Sequence, residues 1–354
     1  MSRFFSEKHS ALVPYVPGEQ PGDTQYVKLN TNESPFPPSQ KAREYAERAK
    51  ETVQLYCDPA CAALKKAFCK VYDIAPDEVI FTNGSDEALS FAFMAFCDEK
   101  TGAAFPDITY GFYPVFAQLY GIDYREIPLK EDFSIDIDDY KNAGRTIFIA
   151  NPNAPTGMLL SLAQIEEILE SNRDNIVVID EAYIDFGGES AVSLIPRYEN
   201  LLVIGTFSKS RSLAGARLGF AIANRALIAD LNTLKFSTNP YNVSAVTQAM
   251  GTGAMEDETY TRKNCDTIMK NRDYLTEELR ALGFSVLPSC ANFVFAKSER
   301  IGGEVLYLRL KDRGVLVRHF TIERVKDYNR ITVGTKEQTD ILLHNIKEIL
   351  EEQR

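Results

Sequence analysis

Two basic side chains in one short polar stretch, Lys209 and Arg217, are the first candidates for chemistry. The stretch lies between two apolar runs of the kind that predict buried strands. A cation beside a buried strand is unfavourable unless it has a partner or faces water. The stretch therefore has two interpretations. It is either a surface loop with two solvated cations, or a site in which the lysine reacts while Arg217, Thr206 and Ser208 hold an anion.

An acid and a second anion-binding turn occur elsewhere in the chain. Asp180 ends an apolar run, and Gly84, Ser85 and Asp86 stand between a predicted strand and a predicted helix. Backbone N–H groups and the helix dipole bind anions at such a turn. The alternative is that Ser85 or Asp86 is an ordinary helix N-cap, which accounts for the same residues. A lysine, an acid and a phosphate anchor together suit pyridoxal phosphate, which needs an amine, a partner for its ring nitrogen and a phosphate site.

The composition of the chain limits its class. Its 354 residues are 45% hydrophobic and 25% charged, so two domains with large cores are expected. A net charge of −11 without long basic runs disfavours nucleic acid and anionic membranes as partners. No apolar run is long enough to span a membrane and no secretory signal is apparent, so we expect a cytoplasmic protein.

The cysteine and histidine content argues against metal chemistry. Six cysteines occur without a CxxC pair, and none of the three histidines is near Cys57 or Cys61 in sequence. We therefore expect buried, reduced thiols rather than a metal site at Cys57 and Cys61, and no histidine-centred triad.

Short apolar strands alternate with helices through the first two thirds of the chain. This pattern predicts a mostly parallel sheet wrapped by helices, with the polar loops collected beyond the strand ends. The pattern changes after residue 235, which predicts a smaller α+β domain. We expect a large cofactor-binding domain at 40–245, and an N-terminal arm (1–39) and a small domain (246–354). The predicted strands are 78–82, 103–106, 145–150, 176–180, 201–204, 218–223, 293–296, 315–318 and 329–333, and the predicted helices include 88–97, 113–120, 161–171, 244–255, 258–282, 303–312 and 336–351.

Nine motifs carry a resemblance to a known family. They resemble, in the family's order, class I/II pyridoxal-phosphate-dependent aminotransferases of the aspartate aminotransferase fold (fold type I), and within them most closely the histidinol-phosphate aminotransferases. The motifs are LNTNESP (29–35), LYCDP (55–59), NGSDE (83–87), TYGFY (109–113), NPNAPTG (151–157), DEAYIDF (180–186), SKSRSLAGARLG (208–219), ANFVFA (291–296) and RITVG (330–334).

The resemblance implies roles for the residues around the cofactor. Lys209 would attach it covalently and later move the proton at the substrate Cα. Asp180 would pair with the ring nitrogen, Tyr183 would contact the phenolic oxygen and Tyr110 would stack on the ring. Tyr110 as an ordinary core aromatic is the alternative. The phosphate would be held by Gly84, Ser85, Asp86, Thr206, Ser208 and Arg217.

The resemblance also implies a homodimer and a substrate side. Tyr56 would reach the phosphate of the neighbouring subunit. Arg330 would bind the substrate carboxylate, with a surface ion pair as the alternative, and Arg318 is either a second anion contact or a solvated charge. Loops carrying Tyr15, Asn32 and Tyr241 line the substrate side in relatives.

One position departs from the family pattern. The family has asparagine immediately before Pro-Thr-Gly, whereas this chain has Ala154, with Asn153 one step earlier. We expect Asn153 to supply the amide contact to the cofactor, with Tyr183 carrying that contact alone as the alternative.

The resemblance implies an aminotransferase that uses glutamate and a keto acceptor, most closely imidazole acetol phosphate in histidine biosynthesis. Phosphothreonine decarboxylation and aromatic amino-acid transamination are alternatives on the same fold. A non-catalytic regulator is disfavoured because no basic DNA-binding module precedes the substrate loop, and a nicotinamide-binding sheet because no GxGxxG follows a predicted strand.

Overall fold

The structure is a computed structural model that describes residues 2–20, 22 and 25–352. The strands in these residues are β1 (Val27–Lys28), β2 (Val79–Thr82), β3 (Ala103–Pro106), β4 (Tyr124–Ile127), β5 (Thr146–Ala150), β6 (Val177–Asp180), β7 (Leu201–Thr206), β8 (Gly219–Ala223), β9 (Phe284–Val286), β10 (Phe293–Ser298), β11 (Val315–Leu316), β12 (Arg318–His319) and β13 (Tyr328–Thr332). The helices are α1 (Gln40–Ala49), α2 (Ala62–Tyr72), α3 (Gly84–Phe96), α4 (Tyr113–Tyr120), α5 (Leu162–Ser171), α6 (Arg225–Thr238), α7 (Ala245–Met255), α8 (Glu258–Ala281), α9 (Gly303–Asp312) and α10 (Lys336–Glu351).

A seven-stranded sheet forms the centre of the molecule, in the order β2-β8-β7-β6-β5-β3-β4. Neighbouring strands from β4 to β7 are parallel, and β8 runs antiparallel to both β7 and β2. Side chains of β6 alternate between two cores, Val177 and Ile179 on one face and Val178 on the other, because the strand is covered by helices on both faces. The predicted mostly parallel, helix-wrapped sheet is confirmed.

The C-terminal elements form a second layer. The antiparallel sheet β12-β13-β10-β9 packs with α8, α9 and α10 around its own core, which includes Leu29 from the N-terminal segment. That segment joins through β1, which pairs in parallel with β11. Helix α7 packs on α1 and α2, against the core beside the large sheet. The domain limits at 40–245 and 246–354 stay a prediction.

Local expectations had mixed outcomes. Ser39 caps α1, and its hydroxyl oxygen accepts a hydrogen bond from the Ala42 N–H at 3.2 Å. The expectation that a helix begins at 88 is wrong, because α3 begins at Gly84 and Ser85 and Asp86 lie in its first turn rather than at its N-cap. The strand predicted at 315–318 is two short strands in different sheets, β11 and β12, and β1, β4 and β9 were not predicted.

Three of the cysteines are buried and three are half-buried, and all six are free. Burial raises the pKa of Cys61 to about 11 and those of Cys97 and Cys265 to about 12, which keeps these thiols protonated. Within the described residues, no cluster of His, Cys, Asp or Glu could hold a metal ion. The same part of the chain contains no helix that is both long and apolar enough to cross a membrane.

Candidate active site

Three neighbouring strands of the large sheet end at one cavity. Strand β5 ends at Ala150, β6 at Asp180 and β7 at Thr206, and the loops that follow them enclose a space of about 320 Å³, here called the lysine cavity. The parallel arrangement brings these strand ends to one edge of the sheet. The cavity is lined by Thr31, Glu33, Ser85, Asp86, Tyr110, Ala150, Ala154, Asp180, Ala182, Tyr183, Thr206, Ser208, Lys209, Ala214, Gly215 and Arg217.

Lys209 projects its amine into the lysine cavity. The Nζ atom donates a hydrogen bond to the backbone oxygen of Thr31 at 3.2 Å and lies 5.8 Å from the ring centre of Tyr183. Burial, and after it the charge of Arg330, lowers the pKa of Lys209 to about 8. A lysine with this pKa is partly neutral near pH 8 and can act as a nucleophile or a base.

Asp180 is an acid buried at the end of β6, with 5% of its surface exposed. Its Oδ2 accepts a hydrogen bond from the Tyr113 hydroxyl at 3.1 Å, and its Oδ1 accepts one from the Ala182 N–H at 3.2 Å. Burial nonetheless raises the pKa of Asp180 to about 7. A cation in the lysine cavity would favour the carboxylate, so Asp180 is suited to pair with a positively charged group.

The beginning of α3 and Arg217 form a cradle for an anion. Nη2 of Arg217 is 3.1 Å from Oδ2 of Asp86. A Cβ on Gly84, which has φ +73°, would lie 2.4 Å from Arg217 Nη2, and one on Gly219 would lie 2.3 Å from the backbone carbon of Gly84. Both positions need glycine for this close approach. Backbone N–H groups of a 13-residue helix and a guanidinium therefore meet at one place, as phosphate binding requires.

The hydroxyls of Thr206 and Ser208 complete this side of the cavity. The two side chains are hydrogen-bonded to each other at 2.9 Å, and the Ser208 N–H donates to Thr206 Oγ1 at 3.1 Å. Thr206 lies in register with Gly219 on β8, which in turn pairs with Thr82 at the end of β2. The antiparallel strand β8 thus places the lysine loop next to the start of α3.

Two tyrosines separate the lysine cavity from a second cavity. The Tyr110 hydroxyl donates to Oδ1 of Asp86 at 2.6 Å, and the Tyr183 hydroxyl accepts from Nδ2 of Asn32 at 3.0 Å. Burial is the main cause that raises the pKa of each phenol, so both are neutral at ordinary pH. Both rings line the two cavities, which makes each of them a wall between two binding spaces.

The second cavity, here called the arginine cavity, has a volume of about 450 Å³ and is lined by Arg330 and Arg318 together with Tyr15 and Asn32. The two arginines stand directly opposite each other on the antiparallel strands β13 and β12. Like charges in this position repel, so the pair is suited to an anionic ligand. Arg330 donates to the Asn30 backbone oxygen at 2.9 Å, whereas its buried Nε has no hydrogen-bond partner in the described residues.

Four of the residues expected at the site line neither cavity, and one of them, Gly84, belongs to the cradle at the beginning of α3. Asn153 is buried, and its amide is engaged with the Ile108 backbone oxygen at 2.9 Å and the Thr109 hydroxyl at 2.7 Å, while Ala154 lines both cavities. Tyr56 and Tyr241 stack on each other at 4.5 Å on the surface, with 84% and 42% of their surface exposed. The expected cofactor contacts of Asn153 and Tyr56 and the substrate contact of Tyr241 stay predictions.

Several contacts at the site were not foreseen from the sequence. Tyr113 bonds to Asp180, and its only sequence signal was its place in the motif read for Tyr110. Thr31 contacts Lys209 through its backbone, which no side-chain pattern reports. Arg211, two residues after Lys209, is buried and pairs with Glu258 at 2.5 Å, which ties the lysine loop to α8.

Comparisons with known proteins agree with this geometry. The family model described as "Aminotransferase class I and II" matches residues 24–346. A curated protein of Brachyspira hyodysenteriae, named histidinol-phosphate aminotransferase, is 48% identical over 352 residues, which are 99% of each chain.

Two solved structures share the fold. The histidinol-phosphate aminotransferase of Sinorhizobium meliloti, solved in complex with pyridoxal-5'-phosphate, has a TM-score of 0.91 at 21% identity, covering 100% of this chain and 99% of that one. The L-threonine-O-3-phosphate decarboxylase of Porphyromonas gingivalis has a TM-score of 0.80 at 20% identity, covering 92% and 99%. At these identities the structures are evidence for the fold alone.

Proposed function

Because the chain belongs to the class I and II aminotransferase family, we propose that it is a pyridoxal-phosphate-dependent aminotransferase acting on glutamate and imidazole acetol phosphate. The observation that carries the proposal is that Lys209, Asp180 and the anion cradle meet at one cavity. The cradle is formed by the beginning of α3 and Arg217. The chain is similar over nearly its whole length to a protein named histidinol-phosphate aminotransferase, which supports the choice of substrates.

The residues of the lysine cavity fit this cofactor. The glycine cradle and Arg217 match a phosphate, the buried acid Asp180 matches a protonated ring nitrogen, and Lys209 offers an amine of lowered pKa. When bound, pyridoxal phosphate supplies an electron sink that stabilises negative charge at the substrate Cα. Asp180, as a carboxylate facing that nitrogen, would keep the ring protonated.

Lys209 would move the proton at the substrate Cα. Its amine lies beside both cavities and is partly neutral near pH 8, so it can accept and return a proton there. Tyr183 would donate its O–H to the phenolic oxygen of the cofactor, and Tyr110 would limit the position of the ring. The Thr31 backbone oxygen and the Tyr183 ring lie next to the amine and limit its position.

The arginine cavity is the proposed substrate space. Arg330, whose buried Nε has no hydrogen-bond partner in the described part of the chain, is the proposed partner of the glutamate carboxylate, and Arg318 is the proposed second anion contact. A phosphorylated substrate also carries the negative charge that these opposed arginines favour. The fold does not separate this reaction from phosphothreonine decarboxylation, since both occur among its structural neighbours.

A single-turnover experiment with four amines tests the proposed substrates. The visible absorbance of the loaded enzyme should bleach rapidly with histidinol phosphate and glutamate, and slowly with phenylalanine or phosphothreonine. Glutamate should yield 2-oxoglutarate and no carbon dioxide. Carbon dioxide release from phosphothreonine, or fastest bleaching by phenylalanine, would assign the chain to one of the alternative reactions.

Arg330→Gln provides the matched variant in the same experiment. Losing one charge-assisted contact should weaken glutamate binding by about 10- to 150-fold, with a smaller effect on the absorbance of the loaded enzyme. Arg313→Gln is the control, because Arg313 pairs with Glu352 on the exterior. An unchanged KM for glutamate in Arg330→Gln would exclude Arg330 as the carboxylate partner.

The proposed active unit is a homodimer in which Tyr56 reaches the phosphate of the neighbouring site. The exposure of the segment that carries Tyr56 supports this proposal, since Val53, Leu55 and Tyr56 expose 60%, 66% and 84% of their surface. Large exposed apolar side chains in one segment are typical of a protein interface.

Mixing two impaired variants at low cofactor concentration tests the proposed contribution of Tyr56 across the interface. Lys209→Ala and Tyr56→Ala should each be impaired at low cofactor concentration, whereas unfolding and refolding them together should restore about a quarter of wild-type activity. Half of the dimers would then be mixed, and each would have one site with both residues. No recovery in a sample shown to contain mixed dimers would place Tyr56 in the site of its own subunit.

The cytoplasmic location stays a prediction.

A further inference from the structure

Asn32 lines the arginine cavity, and its chain neighbours Thr31 and Glu33 line the lysine cavity. It has φ +57° and is 1% exposed. Its backbone N–H donates to Thr332 Oγ1 at 2.9 Å, and its backbone oxygen accepts from Nδ2 of Asn292 at 2.9 Å. Two residues close to the ends of β13 and β10 therefore hold the Asn32 backbone in place.

The direction of each hydrogen bond around Asn32 follows from its backbone N–H, which can only donate. Because Thr332 Oγ1 accepts that bond, its own proton is free to be donated to Oδ1 of Asn32, at 3.0 Å. The described residues offer no other partner to this hydroxyl. An Asn32 amide turned the other way would leave the Thr332 proton without an acceptor.

This order fixes the role of the Tyr183 hydroxyl. With Oδ1 taken by Thr332, it is Nδ2 of Asn32 that faces Tyr183 Oη, at 3.0 Å. The Tyr183 hydroxyl oxygen therefore accepts a hydrogen bond from Asn32, and the Tyr183 hydroxyl proton remains available for another partner. Tyr183 lines both the lysine cavity and the arginine cavity, so its hydroxyl can donate that proton to a cofactor bound in the lysine cavity.

The neighbouring positions make the Tyr183 proton more important. Ala154 contributes only a methyl group to the cavity wall, and the Asn153 amide is engaged with Ile108 and Thr109. Of the described side chains at positions 153, 154 and 183, that of Tyr183 is thus the one with a hydrogen-bond donor left for an oxygen anion of the cofactor.

We propose that Asn32 is a positioning residue that holds Tyr183 as a hydrogen-bond donor to the phenolic oxygen of the cofactor. The inference rests on the proposed function, because it assumes that pyridoxal phosphate occupies the lysine cavity. Donation by Asn32 stabilises the charged form of Tyr183, and this contact is among the causes that lower its pKa against the larger effect of burial.

Asn32→Asp tests the proposal because it reverses the contact without changing the size of the side chain. A carboxylate would accept a hydrogen bond from the Tyr183 hydroxyl, and that hydroxyl would no longer donate to the cofactor. The phenolic oxygen of the cofactor would then hold its own proton more tightly. The pH midpoint of the visible absorbance band of the loaded enzyme should rise by about one to two units. Asn142→Asp is the matched control, since Asn142 has φ +51° in an exposed turn and should leave the midpoint unchanged.

The Tyr183→Phe background separates positioning from charge. Tyr183→Phe alone should raise the midpoint by a similar amount, and adding Asn32→Asp to it should change the midpoint no further. Asn32→Gly, which keeps the backbone conformation and adds no charge, should raise it in the same direction by less. An unchanged midpoint in Asn32→Asp, or an equal shift in the Tyr183→Phe background, would overturn the role of Asn32.

The same samples distinguish this failure from failure of the proposed function. Wild-type protein should gain a visible band with pyridoxal phosphate, and Lys209→Ala should not. A wild-type protein that gains no band would overturn both proposals, whereas a normal band with unaltered Asn32 variants would overturn only the positioning role.

Discussion

Replacing Lys209 by alanine is expected to lower the turnover number of transamination by about 10⁴-fold or more. Among the described residues, Lys209 is the one lysine that lines the lysine cavity. Its amine has two proposed tasks, covalent attachment of the cofactor and proton movement at the substrate Cα. Losing both tasks leaves only the binding energy of the site. Turnover is measured with glutamate as donor, and cofactor attachment by mass spectrometry after borohydride reduction.

Two variants make the Lys209 result specific. Lys209→Arg keeps a positive charge but cannot supply a neutral amine, so it should be as inactive as Lys209→Ala. Lys297→Ala removes a half-buried lysine on β10 that pairs with Glu299 at 3.2 Å and lines neither cavity, so it should retain near-normal turnover. Full activity in Lys209→Ala, or recovery of activity in Lys209→Arg, would contradict the proposed role of the amine.

The sequence predicted those parts of the site that the sheet itself positions. Asp180 and Thr206 end adjacent parallel strands, and the carboxyl ends of such strands meet at one edge, so their proximity follows from the alternation of strands and helices. Lys209 follows β7 by only a few residues and is confined to the same edge. The assignment of most segments of the large sheet as strand or helix also followed from the periodicity of apolar residues.

The contacts that the sequence could not predict depend on long-range packing. Asn32 and Thr332 are separated by 300 positions, and their bond depends on how the N-terminal segment lies on β13. The opposition of Arg318 and Arg330 depends on the register of two strands that no local pattern sets. The direction of the Asn153 amide is determined by the surrounding turn, so the letters of the motif were compatible with either orientation.

One N-terminal segment, residues 30–33, links the two cavities. Its backbone contacts Arg330 at Asn30 and Lys209 at Thr31, and the Asn32 side chain contacts Tyr183. An anion bound at Arg330 therefore acts on the same segment that holds the lysine amine. The two cavities also interact electrostatically, because the charge of Arg330 is the second cause of the lowered Lys209 pKa. An anion beside Arg330 would therefore raise the pKa of Lys209.

Asp180→Asn is expected to lower turnover by about 10²- to 10⁴-fold while making the cofactor-free protein more stable at pH 8. The loss of activity follows from losing the carboxylate that would keep the ring nitrogen protonated. The gain in stability follows from removing a buried acid, because burial raises the pKa of Asp180 from 3.8 to about 7. A raised pKa means that ionisation at neutral pH favours the unfolded chain.

The pH dependence of this stability difference has a definite sign. Below about pH 4 the carboxyl is protonated in both states, and the folded wild type has no ionisation penalty. Between about pH 4 and pH 7 the unfolded carboxyl ionises while the folded one does not, so wild-type stability falls relative to Asp180→Asn by about 1.4 kcal/mol per pH unit. Above about pH 7 the difference should level off at about 2–4 kcal/mol, measured by urea unfolding of the cofactor-free proteins.

Glu181→Gln is the matched control for Asp180→Asn, since it changes the adjacent buried acid. Burial raises the pKa of Glu181 to about 8, but its carboxylate accepts bonds from Ser190 and the Ala191 N–H and does not line the lysine cavity. Its substitution should therefore change stability with pH in the same sense while leaving turnover within a few-fold of wild type. Equal losses of turnover in the two variants would mean that Asp180 acts through folding. A stability difference that stays constant as the pH rises from 4 to 7 would mean that Asp180 is already ionised in the folded protein.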